Sequence, residues 1–241
     1  MFLSKKTKEH KKRKTAVENR EHTGFIVENK PKSIVAEGYR TLRTNIQYSS
    51  FDKEIKTIAV TSAEMAEGKS TVAGNIALTF AQNEKRVILI DCDLRNPSVH
   101  KKFKASNLVG MSEVLLRKVT LQESVQKRND NFYFLTSGKI PPNPSEMLAS
   151  SAMTELIEKL KEEYDIIVLD TAPIQLVTDA QILSTKVDGT ILVVRAEITK
   201  KDVVIEAKNL LDKVGANIIG TVLYAVENTR GKYHYYYGSE D

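Results

Sequence analysis

The sequence predicts an α/β fold with a mostly parallel central sheet flanked by helices. Two observations carry that reading. Six short β-rich runs alternate with helix-like segments along a chain of 241 residues. Most of those runs are continuously apolar rather than alternating, which suits strands covered on both faces. The composition shifts only at the two ends, so the expected organisation is one domain over residues 31–225. A basic, flexible arm (1–30) precedes it and a flexible tyrosine-rich tail (226–241) follows. Hydrophobic residues make up 41% of the chain, enough for a substantial core.

Each element has its own signal. In SIVAEGYRTLRTNIQYSS, Val35, Tyr39, Leu42 and Ile46 recur at helical spacing and form one apolar stripe. The expected strands are TIAVTS (57–62), RVILID (86–91), FYFLTS (132–137), DIIVLD (165–170), TILVVR (190–195) and IIGTVLY (218–224). Expected helices between them include 69–83, 152–163 and 200–214. No internal repeat interrupts the series.

Charge and cysteine usage bound the setting. Residues 5–14, KKTKEHKKRK, hold seven Lys or Arg and one acid, while the whole chain carries +5. Such a run reads as a solvated arm or as an electrostatic contact with an anionic membrane surface or an acidic partner. No aromatic platform or recognised DNA-binding motif supports a nucleic-acid partner. The single Cys92 excludes an intrachain disulfide framework and fits a reducing cytosol. No run of 18 apolar residues is long enough to span a bilayer, and the basic N-terminus lacks the apolar stretch of a secretory signal.

The first strand runs into TSAEMAEGKST, residues 61–71, and then into a helical pattern. Strand, small-residue loop, Gly68-Lys69-Ser70-Thr71 and helix together make a P-loop arrangement. Backbone N–H groups and the helix N-terminus attract phosphate. Lys69 would reach the β- and γ-phosphates and Ser70 would hold Mg²⁺. Ala63, Ala66, Glu67, Gly68, Lys69, Ser70 and Thr71 are therefore the candidate ATP-binding residues. Ala63 stands where the first glycine of the motif is expected, and Ala66 at another glycine position. Alanine tolerates positive φ poorly, so the loop is expected to use negative φ at both.

Two acidic segments follow, each at a strand end. VILIDCDLR supplies Asp91, Asp93 and Arg95, and IIVLDTAP supplies Asp170. In open parallel sheets the carboxyl ends of the strands form the ligand crevice. Lys69, Ser70, Asp91, Asp93 and Asp170 should converge there. Each acid taken singly could instead cap a helix.

Together, AEMAEGKST, VILIDCDLR and IIVLDTAP resemble the Walker A, A′ and B motifs of bacterial tyrosine kinases (BY-kinases), relatives of the cell-division and plasmid-partition ATPases. The resemblance runs from about residue 34 to the C-terminus. It departs from the family loop where Met65 and Ala66 replace Pro and Gly. It implies autophosphorylation of the tail cluster Tyr233, Tyr235, Tyr236 and Tyr237. It also implies a ring-shaped homo-oligomer, typically an octamer, built through Glu37-x-x-Arg40-x-x-Arg43. An intrahelical ion pair is the plain alternative for that motif. A split, cytosolic form of the family would be recruited to the inner membrane face by a membrane activator protein. A tyrosine phosphatase would be its counterpart, and control of capsular or exopolysaccharide synthesis its role.

The tail has the length for transfer between subunits, since the 12 residues from Leu223 to Tyr235 span up to ~40 Å when extended. A tyrosine hydroxyl has a pKa of about 10, so a nearby carboxylate should help take its proton. Asp91 is the first choice for that base, with Asp93 and Asp170 beside the metal; the sequence does not separate Asp91 from Asp93. Arg95 is placed to steady the tail or a phosphate. The competing class is a partition or positioning ATPase without tyrosine transfer. Many of those carry a second lysine early in the loop, and AEMAE at 63–67 has none.

Overall fold

The computed structural model describes residues 24–50 and 54–226. The basic run at 5–14 and the four tail tyrosines lie outside the described residues. Seven strands form one sheet among them: β1 (Thr57–Ser62), β2 (Val87–Asp91), β3 (Gln126–Lys127), β4 (Phe132–Leu135), β5 (Ile166–Asp170), β6 (Gly189–Arg195) and β7 (Ile218–Tyr224). Their spatial order is β3-β4-β2-β5-β1-β6-β7. Every neighbouring pair is parallel except β3 with β4. The helices are α1 (Ile26–Asn29), α2 (Ile34–Gln47), α3 (Lys69–Ala81), α4 (Val99–Phe103), α5 (Met111–Leu115), α6 (Leu121–Ser124), α7 (Pro144–Ala149), α8 (Ser151–Glu163), α9 (Asp179–Ser184) and α10 (Lys201–Lys213).

The continuous apolar runs serve two cores at once. Successive side chains of a strand point to opposite faces. Val87 and Leu89 join Val60, Val168 and the residues of α3 on one face. Ile88 and Ile90 join Ile167, Leu169 and the residues of α8 on the other. β1, β2 and β5 are accordingly buried along their whole length. β7 is an edge strand and only partly covered.

Three expectations change. The helix at 34–47 buries Ala36, Tyr39 and Ile46, whereas Val35 is exposed. The stripe is rotated because Ala36, not Val35, faces α3. The folded part also starts before residue 31. Phe25 and Val27 are buried, and Val27 exchanges hydrogen bonds with α3 and the residue after it: its N–H donates to Asn75 Oδ1 and its carbonyl accepts from Gln82 Nε2. Packed structure is therefore present from Phe25 onward, inside the stretch expected to be arm. The strand expected at 132–137 ends at Leu135. Short elements such as β3, α4 and α6 escaped the periodicity reading because two to five residues cannot display a period.

α3 is enclosed on nearly all sides, by the sheet below and by α2 and the Phe25 segment above. Gly74 makes the closest approach possible. A Cβ there would sit 1.9 Å from a Phe25 ring carbon. Gly74→Ala should therefore destabilise the protein by about 1–3 kcal/mol through overpacking, read by urea unfolding. An unchanged midpoint would mean that Phe25 is not seated on α3.

Candidate active site

β1 delivers the loop and α3 receives it. Gly68 precedes the first turn of α3 at φ 94°. A Cβ at Gly68 would lie 2.5 Å from the Tyr224 ring, so both conformation and space demand glycine there. Ala66 corrects the expectation from sequence: its φ is 60°, in the left-handed region, whereas Ala63 is not a positive-φ residue and packs its methyl into the core. The strained turn at Ala66 is braced from two sides. Arg195 Nη1 donates to the Ala66 carbonyl at 3.0 Å. Glu67, nearly fully buried, accepts from the Glu64 N–H at 2.9 Å and from the Thr199 hydroxyl. Ala63 and Glu67 thus shape the loop rather than line the cleft.

The strand-end acids converge through register. Asp91 on β2 stands directly beside Asp170 on β5, and Asp170 in turn beside Val60 on β1. Lys69 Nζ lies 2.8 Å from Asp93 Oδ2, 3.8 Å from Asp170 Oδ1 and 3.5 Å from Ser70 Oγ. Burial opposes the charge on Lys69, but Asp170 and Asp93 outweigh it and its pKa lies above the ordinary value. Burial pushes the Asp170 carboxyl up. Among the described residues neither of its buried oxygens has a hydrogen bond of ordinary geometry, although Lys69 and Ser70 lie close enough to favour its charge.

Asp91 is held by backbone donors. Its Oδ2 accepts from the Ser98 and Val99 N–H groups at 2.9 Å, fixing the start of α4. Its Oδ1 faces the Asp93 N–H at 3.3 Å. Burial, then the neighbouring Asp170, pushes its pKa up to about 8 against those backbone donors. Asp91 is fully buried and does not line the cleft, whereas Asp93 does. Asp91 thus makes the contacts that the helix-capping alternative expects while standing beside Asp170.

The cleft has a volume of about 610 Å³ and opens above Ala66, Gly68, Lys69, Ser70 and Thr71, with Asp93 and Arg95 on its wall. Arg95 is tied to Asp179 at 2.9 and 3.2 Å and to Ser145 Oγ at 2.9 Å. Lys102 and Tyr224 also line the cleft and carry no sequence motif. Away from it, Glu37 and Arg40 form an exposed i,i+3 ion pair at 2.6 Å. Arg43 does not face outward with them: its Nη1 turns inward to the Thr79 carbonyl at 3.0 Å.

This arrangement defines a P-loop nucleotide site: an anion-binding loop at a helix N-terminus, a lysine within it, and acids at adjacent strand ends. A family model described as an AAA domain matches residues 55–214. Tyrosine-protein kinase YwqD of Bacillus subtilis (strain 168) is 42% identical over 224 residues, covering 92% of this chain and 94% of that protein. Tyrosine-protein kinase CpsD of Streptococcus agalactiae is 36% identical over 209 residues, covering 85% and 90%. The solved kinase domain of Escherichia coli tyrosine kinase ETK superposes with a TM-score of 0.82 at 32% identity, covering 88% of this chain and 84% of that one. The chain belongs to the bacterial tyrosine kinases and is a protein-tyrosine kinase.

A left-handed alanine costs roughly 1–2 kcal/mol, part of which glycine would return as a freer unfolded chain. Ala66→Gly should therefore leave thermal stability unchanged or raise it slightly. A fall of several degrees in melting temperature would show that the Ala66 turn is not strained.

Proposed function

We propose that the chain uses ATP and Mg²⁺ to phosphorylate tyrosines of its own C-terminal cluster, Tyr233, Tyr235, Tyr236 and Tyr237, on a neighbouring subunit. The observation that carries this reading is the buried Asp170 carboxylate at the base of the cleft, which stands beside Lys69 and Ser70 but accepts no hydrogen bond of ordinary geometry. A buried carboxylate whose two oxygens accept no hydrogen bond of ordinary geometry suits a divalent cation, and Mg²⁺ is held by one or two carboxylates plus substrate phosphates. The residues present fit that ion. Bound there, Mg²⁺ would neutralise charge developing on the transferred phosphoryl group.

The chain's own groups divide the remaining work. Lys69 meets the terminal phosphates, released from Asp93 as they arrive. Ser70 and Asp170 serve the metal. Asp93 faces the cleft and is the A′ carboxylate placed for the metal or for the incoming tyrosine hydroxyl, while Asp91 holds the loop through Ser98 and Val99. In this reading Asp93, which lines the cleft, takes the proton in place of Asp91. Arg95, fixed by Asp179, stands at the rim where a tail would enter.

Transfer between subunits requires assembly. We take Glu37 and Arg40 as the exposed part of a ring contact, with Arg43 serving α3 instead. No helix among the described residues is long and apolar enough to cross a membrane. Recruitment to the inner membrane face would rest on a membrane activator protein, assisted by the basic arm. A phosphatase would reverse the modification. The process controlled would be capsular or exopolysaccharide synthesis and export.

Phosphopeptide mass spectrometry of segment 233–237 tests the central step. Wild type and Lys69→Met are each incubated with ATP, Mg²⁺ and membranes of the source cells. Tail phosphotyrosine in wild type, and its absence in the variant, is expected. ATP consumption with no phosphate on any tail tyrosine would move the protein to the switch ATPases.

A further inference from the structure

The sequence motifs place one lysine in the cleft, but the structure brings a second. Lys102 lies on α4, three residues beyond the Val99 N–H that Asp91 fixes. The next residue, Phe103, is locked into an aromatic cluster with Phe25, Phe132 and Phe134 at centroid distances of 4.7, 5.4 and 4.6 Å. The backbone that carries Lys102 is therefore held from both ends. Its side chain lines the cleft and its Nζ donates to Thr71 Oγ1, in the first turn of α3, at 2.9 Å.

What this ammonium lacks is an anion. Among the described residues no carboxylate lies within 4 Å of it, and Thr71 offers only a neutral hydroxyl. Two other cations of the cleft are paired with acids. Lys69 is ion-paired with Asp93, and Arg95 with Asp179. Arg195, half-buried at the end of β6, donates to the Ala66 carbonyl. Burial draws the pKa of Lys102 down, opposed by the charge on Asp170 and reinforced by that on Lys69. A partly desolvated ammonium that meets one neutral acceptor has unused donors, and removing it from water without a counter-charge is costly.

We propose that Lys102 is a second lysine of the nucleotide site, donating from α4 to an oxygen of the bound nucleotide's phosphate chain. The proposal rests on the reading of this cleft as an ATP site. It gives the cleft a phosphate cation that is not shared with an acid, since Lys69 must be drawn from Asp93. It also supplies in the same subunit a second positive charge, which the AEMAE loop segment does not carry.

A merely structural role would make Lys102 a tether between α4 and α3. The two roles part in opposite directions, because a tether stabilises the free protein and an unpaired ammonium does not. Nucleotide affinity is measured calorimetrically with Mg-ADP and Mg-ATP for wild type, Lys102→Met and Lys102→Arg, together with the melting temperature of each protein alone. Loss of a charge-assisted hydrogen bond should weaken both nucleotides about tenfold or more in Lys102→Met. Lys102→Arg, which keeps the charge, should stay within about threefold of wild type. The melting temperature of Lys102→Met alone should be equal to or above that of wild type. Affinity within about twofold of wild type in Lys102→Met would overturn the proposal. So would equal loss in the Arg variant, or a fall in melting temperature that accompanies the loss. If wild type binds nucleotide and Lys102→Met binds it equally well, the ATP reading stands and only the role of Lys102 falls. Wild type that binds neither nucleotide would overturn both.

Discussion

Everything at the centre of this protein depends on carboxylates held at adjacent strand ends beside one lysine. Parallel pairing of β2 with β5 sets Asp91 directly against Asp170, and pairing of β5 with β1 brings both next to the loop that carries Lys69. Like charges so close, out of water, oppose ionisation. Burial first, then mutual repulsion, raises the pKa of Asp91, and burial raises that of Asp170. Lys69 offsets part of this by pairing with Asp93 and approaching Asp170. A cation and a phosphate chain, bound as proposed, would complete the set.

The rigid surroundings serve that cluster. Gly68 lets the Tyr224 ring lie against the loop, while burial, then the nearby Tyr224, pushes the Tyr39 phenol's pKa up; Asn75 meets its hydroxyl. Tyr39 belongs to α2, Asn75 to α3 and Tyr224 to the end of β7. A continuous set of packed side chains therefore joins the helix carrying Glu37 and Arg40 to the phosphate loop. Glu67, Thr199 and Arg195 brace the same loop from the β6 side. The sequence departs from the usual glycine at Ala66, and these braces hold the turn in its left-handed conformation.

Much of this was legible from sequence because it follows from strong local patterns. Continuous apolar strands, the Gly68-Lys69-Ser70 turn and the strand-end acids all have short-range signals, and six of the seven strands lie where those signals fall. What escaped was long-range. That Asp91 caps α4 is invisible until the chain folds back through Ser98 and Val99. That Arg43 turns to Thr79 depends on where α3 lies, 36 residues away in sequence. Lys102 sits in KKFK, which carries no sequence motif, and its place in the cleft shows only through its contact with Thr71. The helical stripe was displaced by one residue because Ala36 supplied a smaller apolar signal than its neighbour Val35.

The most direct measurement is the melting temperature of the protein during titration with ADP, with Mg²⁺ present and with it chelated, for wild type and Asp170→Asn. A ligand that binds only the folded state stabilises it by about 2.7 kcal/mol at a hundred times its dissociation constant. If the buried carboxylate at the base of the cleft is built for a metal-bound nucleotide, wild type will melt progressively higher with ADP. Most of that gain will vanish on chelation and in Asp170→Asn, while the variant alone melts no lower than wild type. An ADP-induced shift that is the same with and without Mg²⁺, or unaffected by Asp170→Asn, would contradict the account.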